Sequence, residues 1–273
     1  MNIKSWLLRS ASGLVYVGII IGSLFWGIYP FTLMAVFLGV MAVFEFERIC
    51  EGISENNLPL TLLDAGGVAA ICFFWQGYPI IIWLFIYLCR CVMELYMKSQ
   101  KPIRCMAISL MTQIYIGMPL GIMTVIGNNV GLHFILAIFL MIWINDTGAF
   151  VIGTLFGRHR LFERVSPKKS WEGFFGGLCF NLMAAWLFAI GGGHFWSVEW
   201  NVITWLLFAL VITLFATWGD LIESLIKRSL CIKDSGSIIP GHGGILDRID
   251  SLLLVMPAVL LFVLLRYLLS IAF

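Results

Sequence analysis

Two adjoining stretches decide how this chain folds: KDSGSIIPGHGGILDRID (233–250), then SLLLVMPAVLLFVLLRYLLS (251–270). The second carries one charged side chain, Arg266, and as a helix it is long enough to cross the ~30 Å hydrocarbon of a bilayer. The first carries five charged residues and four glycines. Working outward, eight more apolar runs of similar kind lie near 12–30, 31–47, 61–78, 79–95, 105–126, 131–152, 172–191 and 202–218. The 273 residues are 61% hydrophobic and 12% charged, with a mean hydropathy of +0.99. A soluble domain is about a quarter charged, and its core cannot hide this much apolar surface. The expected fold is an all-α polytopic membrane protein of about nine transmembrane helices, a single domain over 1–273.

The first run follows Lys4 and Arg9, as in a signal peptide, but it is aromatic-rich, lacks a small-residue cleavage pattern and leads almost directly into the next run. A retained first helix is expected. The seven cysteines (50, 72, 89, 91, 105, 179 and 231) are scattered, and Cys89 with Cys91 lacks metal-site spacing. They read as small packing residues with reduced thiols.

The net charge of +2 says little, but its distribution orients the chain. With nine spans and the N-terminus inside, 16 of the 17 basic residues fall on the inner side, and only Arg266 falls on the other. The positive-inside rule therefore predicts a cytoplasmic N-terminus and a C-terminus on the opposite side. Glycines four apart, Gly117/Gly121 and Gly153/Gly157, allow close helix packing.

Two inner segments, about 146–173 and 220–250, concentrate the chemistry. In the first, Asp146 lies near a span end, where an unpaired charge costs a few kcal/mol. Ser166-Pro167-Lys168-Lys169-Ser170 follows, with Ser170 placed to cap the next helix at Glu172-Gly173. A helix N-terminus beside two lysines and a hydroxyl suits a polyphosphate. Cations that merely satisfy topology and touch anionic lipid would look the same.

In the second segment, Asp220, Glu223, Ser224 and Lys227 share one helix face. The glycine-rich turns around Ser235-Gly236, Pro240-Gly241 and Gly243-Gly244 can offer backbone N–H groups to phosphate. Asp247 and Asp250 then stand at i and i+3. Neighbouring carboxylates repel unless a cation lies between them, and hard oxygen ligands suit Mg²⁺ bridging to substrate phosphates. Buried pairing with Lys227, Arg228 or Arg248 is the competing reading. The chain offers no Cys/His metal set, no Ser/His/Asp arrangement and no Walker loop. Phosphoryl or nucleotidyl transfer by positioning and electrostatics is the chemistry this inventory points to.

Ser224-Leu225-Ile226-Lys227-Arg228, Lys233-Asp234-Ser235-Gly236 and Pro240-Gly241-His242-Gly243-Gly244-Ile245-Leu246-Asp247-Arg248-Ile249-Asp250 together resemble the signature of the phosphatidate cytidylyltransferase (CDP-diacylglycerol synthase) family. Asp146, Gly153, Gly157-Arg158 and the 166–173 segment resemble that family's cytoplasmic loop. The first 140 residues carry few family marks beyond hydropathy. The resemblance implies an enzyme of the bacterial cytoplasmic membrane that joins CMP from CTP to phosphatidic acid and releases pyrophosphate, with its site facing the cytoplasm. It also implies Mg²⁺, a monovalent cation such as K⁺, a homodimer and no nucleic-acid partner. By position it assigns the metal to Asp220 and Asp247, with Asp250 and Asp146 as further candidates. Lys227 and Arg228 take catalytic places near the triphosphate. Lys168, Lys169, Ser170, Ser224, Lys233, Asp234, His242, Gly243, Gly244 and Arg248 form the expected substrate contacts.

Two other readings compete. A CTP-dependent polyprenol kinase also handles CTP at a membrane but moves the γ-phosphate. An ion-coupled transporter would use inner-face carboxylates for its coupling ion, although carriers place such sites near the midplane.

Overall fold

The computed structural model describes residues 3–53, 55, 57–192, 194–236 and 243–272, with side chains from residue 13 to residue 269. The described residues are mainly helical: α1 Ile3–Trp26, α2 Ile28–Ile49, α3 Leu58–Cys72, α4 Pro79–Met97, α5 Pro102–Met111, α6 Met118–Asn129, α7 Leu132–Phe156, α8 Trp171–Gly191, α9 Val202–Ser229 and α10 Leu246–Ala272. A π-helical turn, Thr112–Gly117, joins α5 to α6, so Pro102–Asn129 is one helical run. Seven helices among the described residues are long and apolar enough to span a bilayer, and the chain is a multi-pass membrane protein.

The other two expected spans fall on shorter apolar helices, Gly13–Trp26 within α1 and α3. The run expected over 61–78 is helical only to Cys72, where a short 3-10 turn, Phe74–Gln76, takes over before Gly77 at φ 83°. Fifteen residues of α-helix reach about 22 Å, short of the ~30 Å hydrocarbon. In contrast, α9 fuses the expected span at 202–218 with the polar helix that follows it. Its 28 residues extend about 42 Å, so the polar Asp220–Lys227 end projects beyond a membrane-spanning stretch.

The structure falls into two compact units, each built from separated pieces of chain. The first comprises Met1–Asn129 and Leu230–Ile249. Its interior includes Phe31, Phe46, Val43, Val68 and Leu120, all essentially without solvent exposure. Gly117 and Gly121 pack against α3: a Cβ on Gly117 would come within 2.8 Å of Ile71 Cδ1, and one on Gly121 within 2.8 Å of the Ile71 carbonyl. Their spacing serves close approach, as expected from sequence.

This unit also buries a charge network. Arg90 on α4, at 2% exposure, donates from Nε to Asp64 Oδ2 (3.1 Å) and from Nη1 to Glu94 Oε2 (2.7 Å). Ser109 donates to Asp64 Oδ1 at 2.5 Å, and Gln113 of the π-helical turn donates to the Asp64 carbonyl at 2.9 Å. Arg90, counted among the inner basic residues in the sequence, is thus an internal cross-link between α3 and α4.

The second unit comprises Val130–Ser229 and Asp250–Phe273. Phe134, Trp200, Trp205, Phe208 and Phe262 form an aromatic core, with Phe134 and Phe208 stacked at 5.4 Å between centroids and Trp200 and Phe262 at 5.5 Å. Arg266 lies over the Trp200 ring, 5.7 Å from its centroid. Buried Asn181 donates to Thr213 Oγ1 at 2.9 Å, a polar tie between α8 and α9. All seven cysteines are free thiols.

One element was not anticipated. After α7 the chain forms a two-stranded antiparallel hairpin, β1 Arg160–Phe162 and β2 Ser166–Ser170, before entering α8. Pro167 is tolerated because a two-stranded hairpin consists only of edge strands.

Candidate active site

Within the second unit, α9 ends in the polar face that carries Asp220, Glu223, Ser224 and Lys227, one helical turn apart in pairs. Asp250, in the opening turns of α10, comes to the same place. Single carboxylate oxygens of Asp220, Glu223 and Asp250 all lie within 4.8 Å of one another. Gly219 permits this approach, since a Cβ there would stand 2.7 Å from the Asp250 carbonyl and 2.9 Å from Ser251 Cα.

Two lysines accompany the carboxylates. Lys169 Nζ is 2.6 Å from Asp220 Oδ2 and donates to the Thr217 carbonyl at 3.4 Å. Lys227 Nζ is 2.8 Å from Glu223 Oε2, with Glu223 at 1% exposure. Ser224 donates to Asp220 Oδ1 at 3.2 Å. Asp146 on α7 accepts from Asn145 Nδ2 at 3.4 Å and lies within electrostatic reach of Lys169 and Asp220. Three clustered carboxylates therefore face two ammonium groups, and a fourth acid stands close by. That excess of hard, anionic oxygen fits a divalent cation such as Mg²⁺.

The hairpin delivers Lys169. Ser170 caps α8 as expected, its Oγ accepting from Gly173 N at 3.1 Å. Glu172, in the first turn of α8, accepts from the backbone N–H groups of Arg158 (3.1 Å) and His159 (3.2 Å) and sits 2.6 Å from His159 Nδ1. It fastens the exit of α7 to the entrance of α8. Lys168 is exposed on β2, and Arg228, at the end of α9, is exposed as well.

In the first unit, Asp247 Oδ2 accepts from Ser235 N at 3.2 Å and Gly244 N at 2.9 Å. Gly243 has φ 84°, and a Cβ there would come within 2.7 Å of the same oxygen. Lys233, Asp234 and Arg248 are exposed, and the Arg248 carbonyl accepts from Tyr16 Oη at 3.3 Å. His242 lies outside the described residues.

The sequence had not assigned Glu223 to the acidic cluster, although its i, i+3 spacing from Asp220 carried the signal. It also gave no role to Glu45 of α2. That residue is buried at 3% exposure, and its Oε2 accepts from Ser235 Oγ (3.3 Å) and Leu246 N (2.9 Å).

A family model described as "Cytidylyltransferase family" matches residues 7–266, and the chain belongs to that family. A protein named phosphatidate cytidylyltransferase from Staphylococcus saprophyticus is 46% identical over 129 residues, covering 46% of this chain and 47% of the relative. A protein of the same name from Staphylococcus aureus strain COL is 45% identical over 129 residues, with the same coverage. One from Staphylococcus epidermidis is 44% identical over 127 residues, again covering 46% of this chain and 47% of the relative. The chain thus aligns with about half the length of the curated relatives it matches.

Proposed function

We propose that this cytidylyltransferase-family protein transfers CMP from CTP to phosphatidic acid, giving CDP-diacylglycerol and pyrophosphate, at the inner face of a bacterial cytoplasmic membrane. The observation that carries the reading is the meeting of Asp220, Glu223 and Asp250, flanked by Lys169 and Lys227, on a chain of this family. Further support comes from relatives named for that activity and from the cationic bias of the expected inner segments.

Both reactants are anions, so the chemical problem is repulsion. A phosphate oxygen of the lipid attacks the α-phosphorus of CTP, the bond from that phosphorus to the bridging oxygen breaks, and pyrophosphate departs with the electron pair. Phosphatidate is already ionised near neutral pH, so the step needs no strong general base. Mg²⁺ is proposed at Asp220, Glu223 and Asp250, where it would polarise the α-phosphate and steady the leaving group.

The family resemblance gives Asp247 a metal-binding role as well. The N–H groups of Ser235 and Gly244 bond its Oδ2, and such bonds orient ligating oxygens. Lys227 holds the Glu223 carboxylate in place, and Lys169 holds Asp220. Exposed Lys168 and Arg228 would meet the triphosphate from the aqueous side. A homodimer is proposed from the resemblance alone.

The test uses purified protein in detergent with phosphatidate, Mg²⁺ and CTP labelled at either the α- or the γ-phosphate. The proposal expects α-label in the lipid product and γ-label in pyrophosphate. Entry of γ-label into a polyprenol would select the kinase. Absence of any label transfer, with Mg²⁺-coupled solute uptake in vesicles, would select the transporter.

A further inference from the structure

We infer that Glu45 is a positioning residue for the glycine-rich segment: from α2 it holds Ser235, Gly236, Gly244 and Leu246 so that Asp247 is presented in its working orientation. The inference rests on the proposed function for what Asp247 works upon, but the geometry behind it stands independently. Glu45 belongs to an otherwise apolar stretch of α2, Val40 to Phe46, and is buried at 3% exposure. A residue selected for packing alone would be apolar there, since burying a carboxylate is costly unless it is paired.

The pairing runs across 190 residues to Ser235 and 201 to Leu246. By accepting from Leu246 N at 2.9 Å, Oε2 caps the first residue of α10 from a different helix, and a carboxylate suits that helix N-terminus. The same oxygen accepts from Ser235 Oγ, while the Ser235 backbone N–H goes to Asp247 Oδ2. Ser235 is therefore the bridge between the two acids, one through its hydroxyl and the other through its amide.

Two glycines are explained by the carboxylate. A Cβ on Gly236 would come within 2.6 Å of Glu45 Oε1, and one on Gly244 would overlap both Glu45 Oε2 and Ser235 Oγ. Glu45 Oε1 is buried with no hydrogen-bond partner among the described residues. The first unit thus supplies more than membrane anchoring: through one side chain it sets the backbone on which Asp247 depends. Groups that orient a metal-binding carboxylate typically alter metal affinity or activity by about 10- to 100-fold when removed.

The experiment compares wild type, Glu45→Ala, Glu45→Gln and Ser235→Ala as full-length protein in detergent. Amide exchange over 233–249 and Mg²⁺-dependent thermal stabilisation are measured for each, with no substrate present. Glu45→Ala is expected to accelerate exchange at 235–236 and 243–247 and to raise the Mg²⁺ needed for half-maximal stabilisation about 10- to 100-fold. Glu45→Gln, which keeps an acceptor for Leu246 N, should recover much of both. Ser235→Ala should show the same pattern more weakly and decides the matter if Glu45→Ala fails to fold. Unchanged exchange in the variants overturns the inference, as does faster exchange with wild-type Mg²⁺ dependence, which would make Glu45 a purely structural contact. Failure of the proposed reaction would show in the label experiment instead, leaving exchange and Mg²⁺ readouts intact.

Discussion

Lys169 Nζ stands 2.6 Å from Asp220 Oδ2, tying the hairpin between α7 and α8 to the polar end of α9. The neighbouring lysine, Lys168, is exposed on the same strand. The two are adjacent in sequence and different in work: one orders an acid, the other faces water.

That difference predicts divergent variants. On the proposed reaction, Lys168→Ala should raise KM for CTP a few-fold with kcat little changed, because it would remove a solvent-side charge from the triphosphate. Lys169→Ala should lower kcat and raise the Mg²⁺ requirement together, since it leaves Asp220 without its clamp. Steady-state kinetics over a Mg²⁺ series separates the two. Matching behaviour in both would return them to a shared topological role.

Glu223→Gln should raise the Mg²⁺ concentration for half-maximal activity by about 10-fold or more, the scale of changes in groups around a metal. Glu223 keeps its place through Lys227 at 2.8 Å, so Lys227→Met should shift the same constant in the same direction. A Mg²⁺ titration of activity checks both, and an unaltered constant in Glu223→Gln would remove that residue from the site.

Gly219→Ala is expected to disrupt the junction of α9 and Asp250, because the added Cβ would lie 2.7 Å from the Asp250 carbonyl. Overpacking of this kind costs about 1–3 kcal/mol, so Tm should fall and activity should fall further than stability explains. Thermal unfolding in detergent beside a turnover assay measures both; wild-type values in each would show that the helices yield easily.

Arg90→Ala should destabilise the protein by about 3–5 kcal/mol, the cost of leaving one side of a buried ion pair uncompensated. Asp64 and Glu94 would then remain buried without their cation. The effect belongs to the fold and not to the reaction: KM for CTP in the surviving folded fraction should match wild type. A folded, fully stable Arg90→Ala protein would contradict the cross-link.

The helices were legible in the sequence because their signals are local. Apolar runs placed α2, α4 and α7–α10, and Ser170 announced the start of α8 through its capping chemistry. Asp220 was legible as the head of a polar face. The Arg160–Ser170 hairpin was not, since proline and lysines give little strand signal. The shortness of α3 was hidden because apolar residues continue past Cys72 into a turn. Gly219 and Glu45 were invisible for another reason. Their meaning lies in contacts with residues 31 and 190 or more positions away, and no window along the chain contains both partners.

The most direct test follows α-labelled CTP into phosphatidate across a Mg²⁺ series, with wild type beside Asp220→Asn and Asp250→Asn. The account predicts Mg²⁺-dependent lipid labelling by wild type. Each variant should lose at least about 100-fold, beyond the 10- to 100-fold scale of orienting groups, while remaining folded in detergent. Undiminished labelling by either folded variant at ordinary Mg²⁺ would contradict the claim that these carboxylates hold the ion on which transfer depends.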